Sequence, residues 1–498
     1  MKNKITLLNM LSSMLLQLCT IISGFIIPRI ILSFFGSNVN GLLSSITQFL
    51  SYISLVEGGV GAVVLANLYK PLVENDDKKI SLVMSTANRF YKTIGTIFIV
   101  YSIVMAVAYP LFFAREFSYG YVFSLILIIS LGTTIQYMFA INARTLLNAD
   151  KKIYIVSFTQ IVCVVINLIL VIVSVKVYPS VHLLKLITSL IYLVQPIFYN
   201  WYIRKHYTIA WNGAYDHGLL KERWNGFAIN TAAFIHNCTD VVILTIFTDL
   251  GTVSIYAVYS LITNGIKQLI VSFINGINPT IGQAYAKGDL YELNEKMDLY
   301  EFVVMISTFF FYTMTALLIT PFVMLYTQGV TDANYNQPLL GITLVLAELF
   351  YIVKFPHLNL AYSANKFKEL TVPAYIEVGL NIVISIFFVY KIGIVGVVVG
   401  TLVAMIYRMM FHVYYTGKLI VGRRQWIFYK KLLVFLLEAI GIVLFCYRFF
   451  PIKDITAINW ILHACLYAII VVVIMFGTAR ALFKKEIKFC YQYLRKRM

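Results

Sequence analysis

Nine ionisable side chains fall inside stretches that are otherwise almost wholly apolar. Four are basic (Arg29, Lys267, Lys354 and Arg408) and five are acidic (Glu57, Asp240, Glu348, Glu377 and Glu438). The stretch "FIIPRIILSFFGS" (25–37) shows the type, with Pro28 and Arg29 set among Phe, Ile and Leu. Arginine keeps its proton in proteins, and a charge at bilayer depth costs at least about 2.5 kcal/mol. Such a group either snorkels to a polar surface or faces water, a partner or an anionic ligand. Arginine suits a phosphate through its fork of donors, and lysine does so as a point charge. Carboxylates in the same setting suit a proton or a small cation.

Signs of enzyme chemistry are missing. No GxSxG, HExxH, P-loop or paired-carboxylate motif stands in a suitable setting. The six cysteines (Cys19, Cys163, Cys238, Cys446, Cys465 and Cys490) form no CxxC pair, and five lie within apolar segments. They read as buried small hydrophobes, with neither a disulfide framework nor a zinc site. The expectation is a binding and transport protein with no catalytic residue, no metal and no cofactor.

The elements that carry these charges must be membrane spans. Of 498 residues, 60% are hydrophobic and 12% charged, and the mean hydropathy is +0.82. Soluble domains carry about 25% charged residues, so the solvent here is a bilayer. A spanning helix needs about 20 apolar residues, and fourteen stretches meet that need. They run over 9–33, 41–66, 90–113, 119–142, 153–175, 183–204, 227–249, 253–281, 300–327, 338–362, 370–391, 394–416, 427–449 and 458–482. The first follows Lys2 and Lys4, is too long for a signal-peptide core and lacks a small-x-small cleavage site, so it reads as a retained span. The fold class is an all-α, polytopic integral membrane protein.

Charge orients the spans. Of 40 Lys and Arg, only Arg115, Lys176, Lys185, Lys391, Arg448 and Lys453 flank the outward ends when the N-terminus is placed in the cytoplasm. Four more lie within spans, and the remaining 30 flank the inward ends. Basic residues gather on the cytoplasmic side, which predicts cytoplasmic N- and C-termini. The net charge of +18 is thus largely a topology signal. Basic residues spread over many short loops do not suggest nucleic-acid binding. The tail "KKEIKFCYQYLRKR" is expected to lie on anionic headgroups of the membrane lipids.

A faint repeat divides the chain. Sliding it by 212 residues sets "ILSFFGS" (31–37) on "ILTIFTD" (243–249), and "ANLYKPLVE" (66–74) falls near "GQAYAKGDL" (282–290). The expected organisation is an N-terminal lobe over 1–206 (spans 1–6) and a cytoplasmic linker over 207–226. A C-terminal lobe over 227–417 (spans 7–12), spans 13 and 14 over 418–483 and a basic tail over 484–498 follow. Two pseudo-symmetric six-helix lobes would then surround a hydrated central cavity. At 1.5 Å per residue, Arg29 lies about 10 Å below the outer surface and Glu57 roughly 24 Å down. Lys354 and Glu377 come out at similar depth and are expected to pair. Lys267 and Arg408 lie about 21–22 Å deep with no evident acidic neighbour, which favours an anionic ligand. "EGGVGAVV" (57–64) and "INGINPTIG" (274–282), with Pro28, Pro279 and Pro356, are expected to loosen their helices.

The stretch "IIPRIILSFFGSNVNGLLSSITQFLSYISLVEGGVGAVVLANLYKPL" (26–72) resembles the first two helices of Wzx-type polysaccharide flippases of the MOP exporter superfamily. "INPTIGQAYAKGD" (277–289) is similar to the end of their eighth span. The resemblance implies a cargo of polyprenyl-pyrophosphate-linked oligosaccharide, turned from the inner to the outer leaflet of the bacterial cytoplasmic membrane. It implies a cationic cavity for the pyrophosphate at Arg29, Lys267, Arg408 and Lys354. Glu57, Asp240, Glu348 and Glu377 are then candidates for a coupling H+ or Na+, and a polysaccharide polymerase is an expected partner. A multidrug exporter of the same superfamily would favour an acidic cavity. A glycan polymerase would be expected to carry a large outer loop, and the outer loops here are short.

Overall fold

Inside hydrocarbon no water is available to the backbone, so each apolar run must satisfy its own N–H and C=O groups as a helix. The computed structural model describes residues 2–113, 116–211, 213–216, 218–219, 227–275 and 278–488. Among them the chain is helical, with no strand. Twelve helices among the described residues are long and apolar enough to cross a membrane. The first of them, Lys4–Glu57, is long enough for two crossings, and the shorter apolar helix Phe234–Phe247 adds another. The count agrees with the expected fourteen. This is a multi-pass membrane protein.

The described chain separates into two compact units. One comprises the residues up to Phe234 together with Asp249–Ser254. Its helices are α1 (Lys2–Ser51), α2 (Ser54–Glu57), α3 (Val60–Glu74), α4 (Asp77–Phe113), α5 (Tyr119–Ile135), α6 (Ile141–Ala149), α7 (Ile153–Val177), α8 (Val181–Leu190) and α9 (Val194–His206). A five-residue π-helical bulge, Gln136–Ala140, joins α5 to α6, and one 3₁₀ turn, Ile191–Leu193, joins α8 to α9. The spans expected at 9–33 and 41–66 fall on α1, α2 and α3, and the gap left between them holds the kink of α1. Helix α1 would be about 75 Å long if straight, more than twice a hydrocarbon core of roughly 30 Å. Its geometry breaks at Gly36 (φ 82°, ψ 178°), a left-handed position that glycine tolerates. Pro28 sits within α1 without ending it. Gly58 and Gly59 (φ 56° and 81°) do interrupt the next span, as "EGG" suggested.

The unit is stitched by polar side chains that reach across helices, the usual glue where lipid is as apolar as leucine. Asn9 of α1 donates to the Lys151 carbonyl (2.8 Å) and accepts from the Tyr154 amide (2.9 Å). Tyr109 of α4 donates to Ser45 (2.6 Å), and Asn142 of α6 to the Met84 carbonyl (3.1 Å).

The other unit holds Ile235–Thr248 and the described residues from Ile255 on. Helices α10 (Phe227–Phe247) and α11 (Leu250–Asn275) each begin in the first unit. They are followed by α12 (Asn278–Ala286), α13 (Leu290–Tyr326), α14 (Pro338–Val353), α15 (Phe355–Ser363), α16 (Phe367–Ile392), α17 (Ile394–Thr416), α18 (Trp426–Phe449) and α19 (Ala457–Leu482). Asp289 caps α13 by accepting from the Tyr291 and Glu292 amides. Pro356 stands in the first turn of α15, and the tenth span breaks just before it, as expected of a residue with no N–H to donate. Pro279 occupies the second position of α12; Gly276 and Ile277 of the same motif, Arg115, most of 217–226 and the tail from 489 lie outside the described residues.

The short "KIGIVG" separates α16 from α17 at Gly393 (φ 59°). These two helices pack unusually closely, because Gly396 and Gly400, four apart on α17, face Phe388, Ser385 and Asn381 of α16. Ser385 donates across the seam to the Val397 carbonyl (2.8 Å). Farther along the unit, α18 and α19 are fastened to α13 by stacked rings, Phe309 on Phe435 and Phe435 on Phe483. A buried ionic cluster joins the same helices. Glu301, fully buried, receives both ends of the Arg423 guanidinium (3.0 Å each), and His357 Nε2 lies 3.2 Å from it. Lys431 bridges Asp298 (2.8 Å), Glu301 (3.4 Å) and Glu486 (3.7 Å), and Arg423 also pairs with Asp298.

A methyl at Gly400 would overlap Ser385 Oγ and stand 2.6 Å from the Ser385 amide nitrogen, whereas one at Gly441 on α18 meets nothing within 4 Å. Gly400→Ala is therefore expected to destabilise the protein by about 1–3 kcal/mol through overpacking, with Gly441→Ala unchanged or slightly stabilised. Thermal unfolding of the two variants in one detergent checks this, and equal midpoints would contradict the close seam.

Candidate substrate and ion sites

The sequence-predicted site residues divide between the units. Arg29 and Glu57 belong to the first; Asp240, Lys267, Glu348, Lys354, Glu377 and Arg408 belong to the second. Arg29 is half-buried on α1, and its carbonyl accepts from Ser33 Oγ (2.7 Å). Glu57 ends α2 against the two left-handed glycines and accepts from Tyr137 (3.2 Å), which the π-helical bulge presents. Glu57 also lines a cavity of about 270 Å³ with Ser54, Thr231 and Phe234.

In the second unit the expected pairing is overturned. Glu377 of α16 does not pair with Lys354. It pairs with Arg408 of α17, whose Nε lies 3.1 Å from Oε2, and both side chains are buried. Arg408 also donates to the Leu370 carbonyl (3.4 Å). Nor is Lys267 unpartnered, for its Nζ lies 2.8 Å from Glu348 Oε1. The depth estimates along straight helices missed both pairs because depth alone carries no azimuth, and the Arg408–Glu377 pair also because α16 and α17 lie so close at their glycine seam. Two of the three cations are thus neutralised within the unit. Lys354, 4% exposed, is the exception. Its ammonium meets Met405 Sδ (3.6 Å) and the face of Tyr351 (4.1 Å), with no carboxylate at ion-pair distance among the described residues.

Tyr351 organises this group. Glu348 and Tyr351 lie three apart on α14, and Lys354, three further on, caps that helix. The ring lies under Lys354 and also 5.1 Å from Lys267 Nζ, and it stacks on His236 (5.0 Å, 6°). The spacing was visible in the sequence, but an aromatic among so many gave no reason to single it out. Asn237 adds a long contact to Lys267 (3.5 Å).

Asp240 stands apart chemically. It is 2% exposed on α10, and its partners are neutral: Thr401 of α17 donates to both carboxylate oxygens (2.8 and 2.9 Å), and Tyr256 of α11 to one (2.8 Å). Asn381 of α16 in turn donates to Thr401 (2.8 Å). A buried carboxylate without a cationic side chain beside it is costly as a bare anion, and these neutral donors offset part of that cost. Asn381, Thr401 and Tyr256 were missed in the sequence, where only Asn381, an amide inside an apolar span, offered a signal. Among the described residues no cluster of three or more His, Cys, Asp or Glu could hold a metal ion.

No protein-family model matches the chain, and no curated protein matches it. Solved structures do. The chain superposes on the lipid II flippase MurJ in an inward closed conformation with TM-score 0.75 at 16% identity, over 96% of this chain and 100% of that one. The two share one fold. The chain also matches the MATE multidrug transporter DinF-BH, solved in complex with a ligand (TM-score 0.61, 14% identity, 83% of this chain and 95% of that one). An inward-facing multidrug-resistance MATE transporter of the MOP superfamily matches at 0.58 and 14% identity, over 80% and 95% of the two chains. The chain therefore has the fold that these solved transporters share, in agreement with the fold expected from the sequence resemblance.

Breaking the Arg408–Glu377 pair on one side leaves a charge stranded. Glu377→Gln alone is expected to cost about 3–5 kcal/mol, whereas Glu377→Gln with Arg408→Met is expected to recover most of that loss. Unfolding midpoints of the single and double variants test the pairing; a double variant no better than the single would overturn it.

Proposed function

We propose that the protein flips polyprenyl-pyrophosphate-linked oligosaccharide repeat units from the inner to the outer leaflet of a bacterial cytoplasmic membrane. The cargo would feed surface polysaccharide assembly, and a polysaccharide polymerase would receive it. The observation that carries this reading is a fold shared along the whole chain with a lipid flippase, combined with cations inside the spans. In the proposed cycle a cationic cavity holds the pyrophosphate while the polyprenyl tail stays in the bilayer. Lys354 is the favoured contact in the second unit, because Lys267 and Arg408 already have carboxylate partners. Those two join the contact set when Glu348 and Glu377 let go during alternating access. In the first unit the candidate is Arg29, half-buried on α1. Exposed aromatics within reach of the cavity would stack on sugar faces. Both termini lie in the cytoplasm in this reading, as the charge bias implies.

For coupling, Asp240 is the favoured group, with a proton or sodium ion cycling on its neutral donors. Glu57 is second, since its hydrogen bond comes from a tyrosine, while Glu348 and Glu377 serve their ion pairs first. Asp240→Asn is expected to leave the fold intact and to abolish the dependence of cargo movement on the ion gradient in reconstituted vesicles. Gradient-dependent flipping that survives Asp240→Asn would remove Asp240 from the cycle.

Multidrug export is the second reading, favoured by the fold shared with a ligand-bound MATE multidrug transporter. A strain lacking the gene separates the two. Loss of a flippase makes complete lipid-linked repeat units accumulate, and wild type clears them. Arg29→Ala and Lys354→Met are expected to slow clearance roughly tenfold, the factor for one charge-assisted hydrogen bond of about 1.5 kcal/mol. Normal lipid intermediates with altered drug sensitivity would instead favour the exporter.

A further inference from the structure

The first unit carries a groove on its outer surface that neither the cargo nor a coupling ion accounts for. It runs beside α9, has a volume of about 500 Å³, and is lined by Phe139, Leu193, Ile197 and Trp201, with Asn200 and Arg204 as its polar members. The π-helical bulge at Gln136–Ala140 shapes one wall. Within it the Phe139 carbonyl accepts from Asn200 Nδ2 (3.3 Å), and the Phe139 ring is exposed. Such bulges mark functional positions more often than chance.

The groove has a charged end. Helix α9 closes with Arg204, Lys205 and His206. Lys205 lies over the Trp201 ring (5.6 Å), and His206 stacks on Tyr202 and contacts the Tyr202 carbonyl. Arg204 is exposed, lines the groove and makes no ion pair among the described residues. Exposed Trp201 beside it is the kind of ring found at headgroup level. An adjacent groove on the other face of α9, about 420 Å³ and lined by Phe158, Val162, Phe198 and Tyr202, lacks such an end. The nearby Lys152 is already paired with Asp150 (2.9 Å) and Tyr207 (3.0 Å).

We propose that the Arg204 groove is a binding site for an anionic phospholipid of the surrounding bilayer, with an acyl chain along Phe139, Leu193, Ile197 and Trp201 and the phosphate on Arg204. The chain contacts supply the apolar surface and the guanidinium supplies selection for negative charge. None of the cationic residues assigned to cargo lines this groove.

The test uses the full-length protein purified in detergent and offered equal amounts of phosphatidylglycerol and phosphatidylcholine with matched chains. Native mass spectrometry reads the last lipid retained on collisional activation. Wild type is expected to retain phosphatidylglycerol about fivefold over phosphatidylcholine, which is the factor for the roughly 1 kcal/mol a basic side chain contributes at an anionic surface. Arg204→Ala is expected to bring the ratio near one, Arg204→Lys to keep most of it, and Lys176→Ala, an exposed basic residue at the far end of α7, to leave it unchanged. Ile197→Trp, which fills the groove, is expected to lower retention of both lipids. A wild-type ratio near one, or a preference that survives Arg204→Ala in protein with a wild-type unfolding midpoint, would overturn the proposal.

Discussion

A formal charge inside a span is tolerated only when the protein replaces the water it lost, and the second unit is arranged around that constraint. Lys267 and Arg408 meet carboxylates, Lys354 meets a ring face and a thioether, and Asp240 meets hydroxyls. Each solution draws its partner from a different helix or a different turn, so the charges fix which helices must be neighbours and at what rotation. The same rule operates where α18 and α19 join α13, with Glu301 between Arg423, Lys431 and His357. Packing of small residues then sets how close the helices come, as at the glycine seam of α17.

What the sequence disclosed follows from the physics that dominates at each scale. Span number and helical class depend on runs of about 20 apolar residues, and these were plain. The weakest boundary, at "KIGIVG", held because Gly393 adopts a backbone angle that closes one helix and opens the next. Helix ends were less legible, since α4 and α13 begin in charged and polar turns well before their apolar runs. The first break was legible: the gap between the spans drawn at 9–33 and 41–66 holds Gly36, where the backbone of α1 departs from helical geometry.

Site residues were legible as a list and illegible as partners. Composition marks an intramembrane charge at once, and depth can be counted along a helix. Rotation about the helix axis cannot be counted so easily when glycines draw two helices together. That is why Lys354 was matched with Glu377, while the structure gives that carboxylate to Arg408. The neutral donors of Asp240 were harder still, because Thr and Tyr in a chain with 35 tyrosines carry no mark of their task. The Arg423–Glu301–Lys431 cluster escaped for the opposite reason. Its basic members served as topology signals, and nothing in their spacing distinguished a buried cation from a solvated one.

The glycine seam has a consequence for motion. Two helices in contact closer than a methyl group permits, and laced by Ser385 to a backbone carbonyl, form a single stiff jaw rather than two rods. Asn381 and Thr401 ride on opposite members of that jaw and cannot part without unlacing it. Asp240 and Tyr256 ride on α10 and α11, outside it. A shift of α10 against this jaw therefore takes the carboxylate away from Thr401, whose hydroxyl Asn381 holds in place, so that the grip on Asp240 is set by where one helix stands against the jaw.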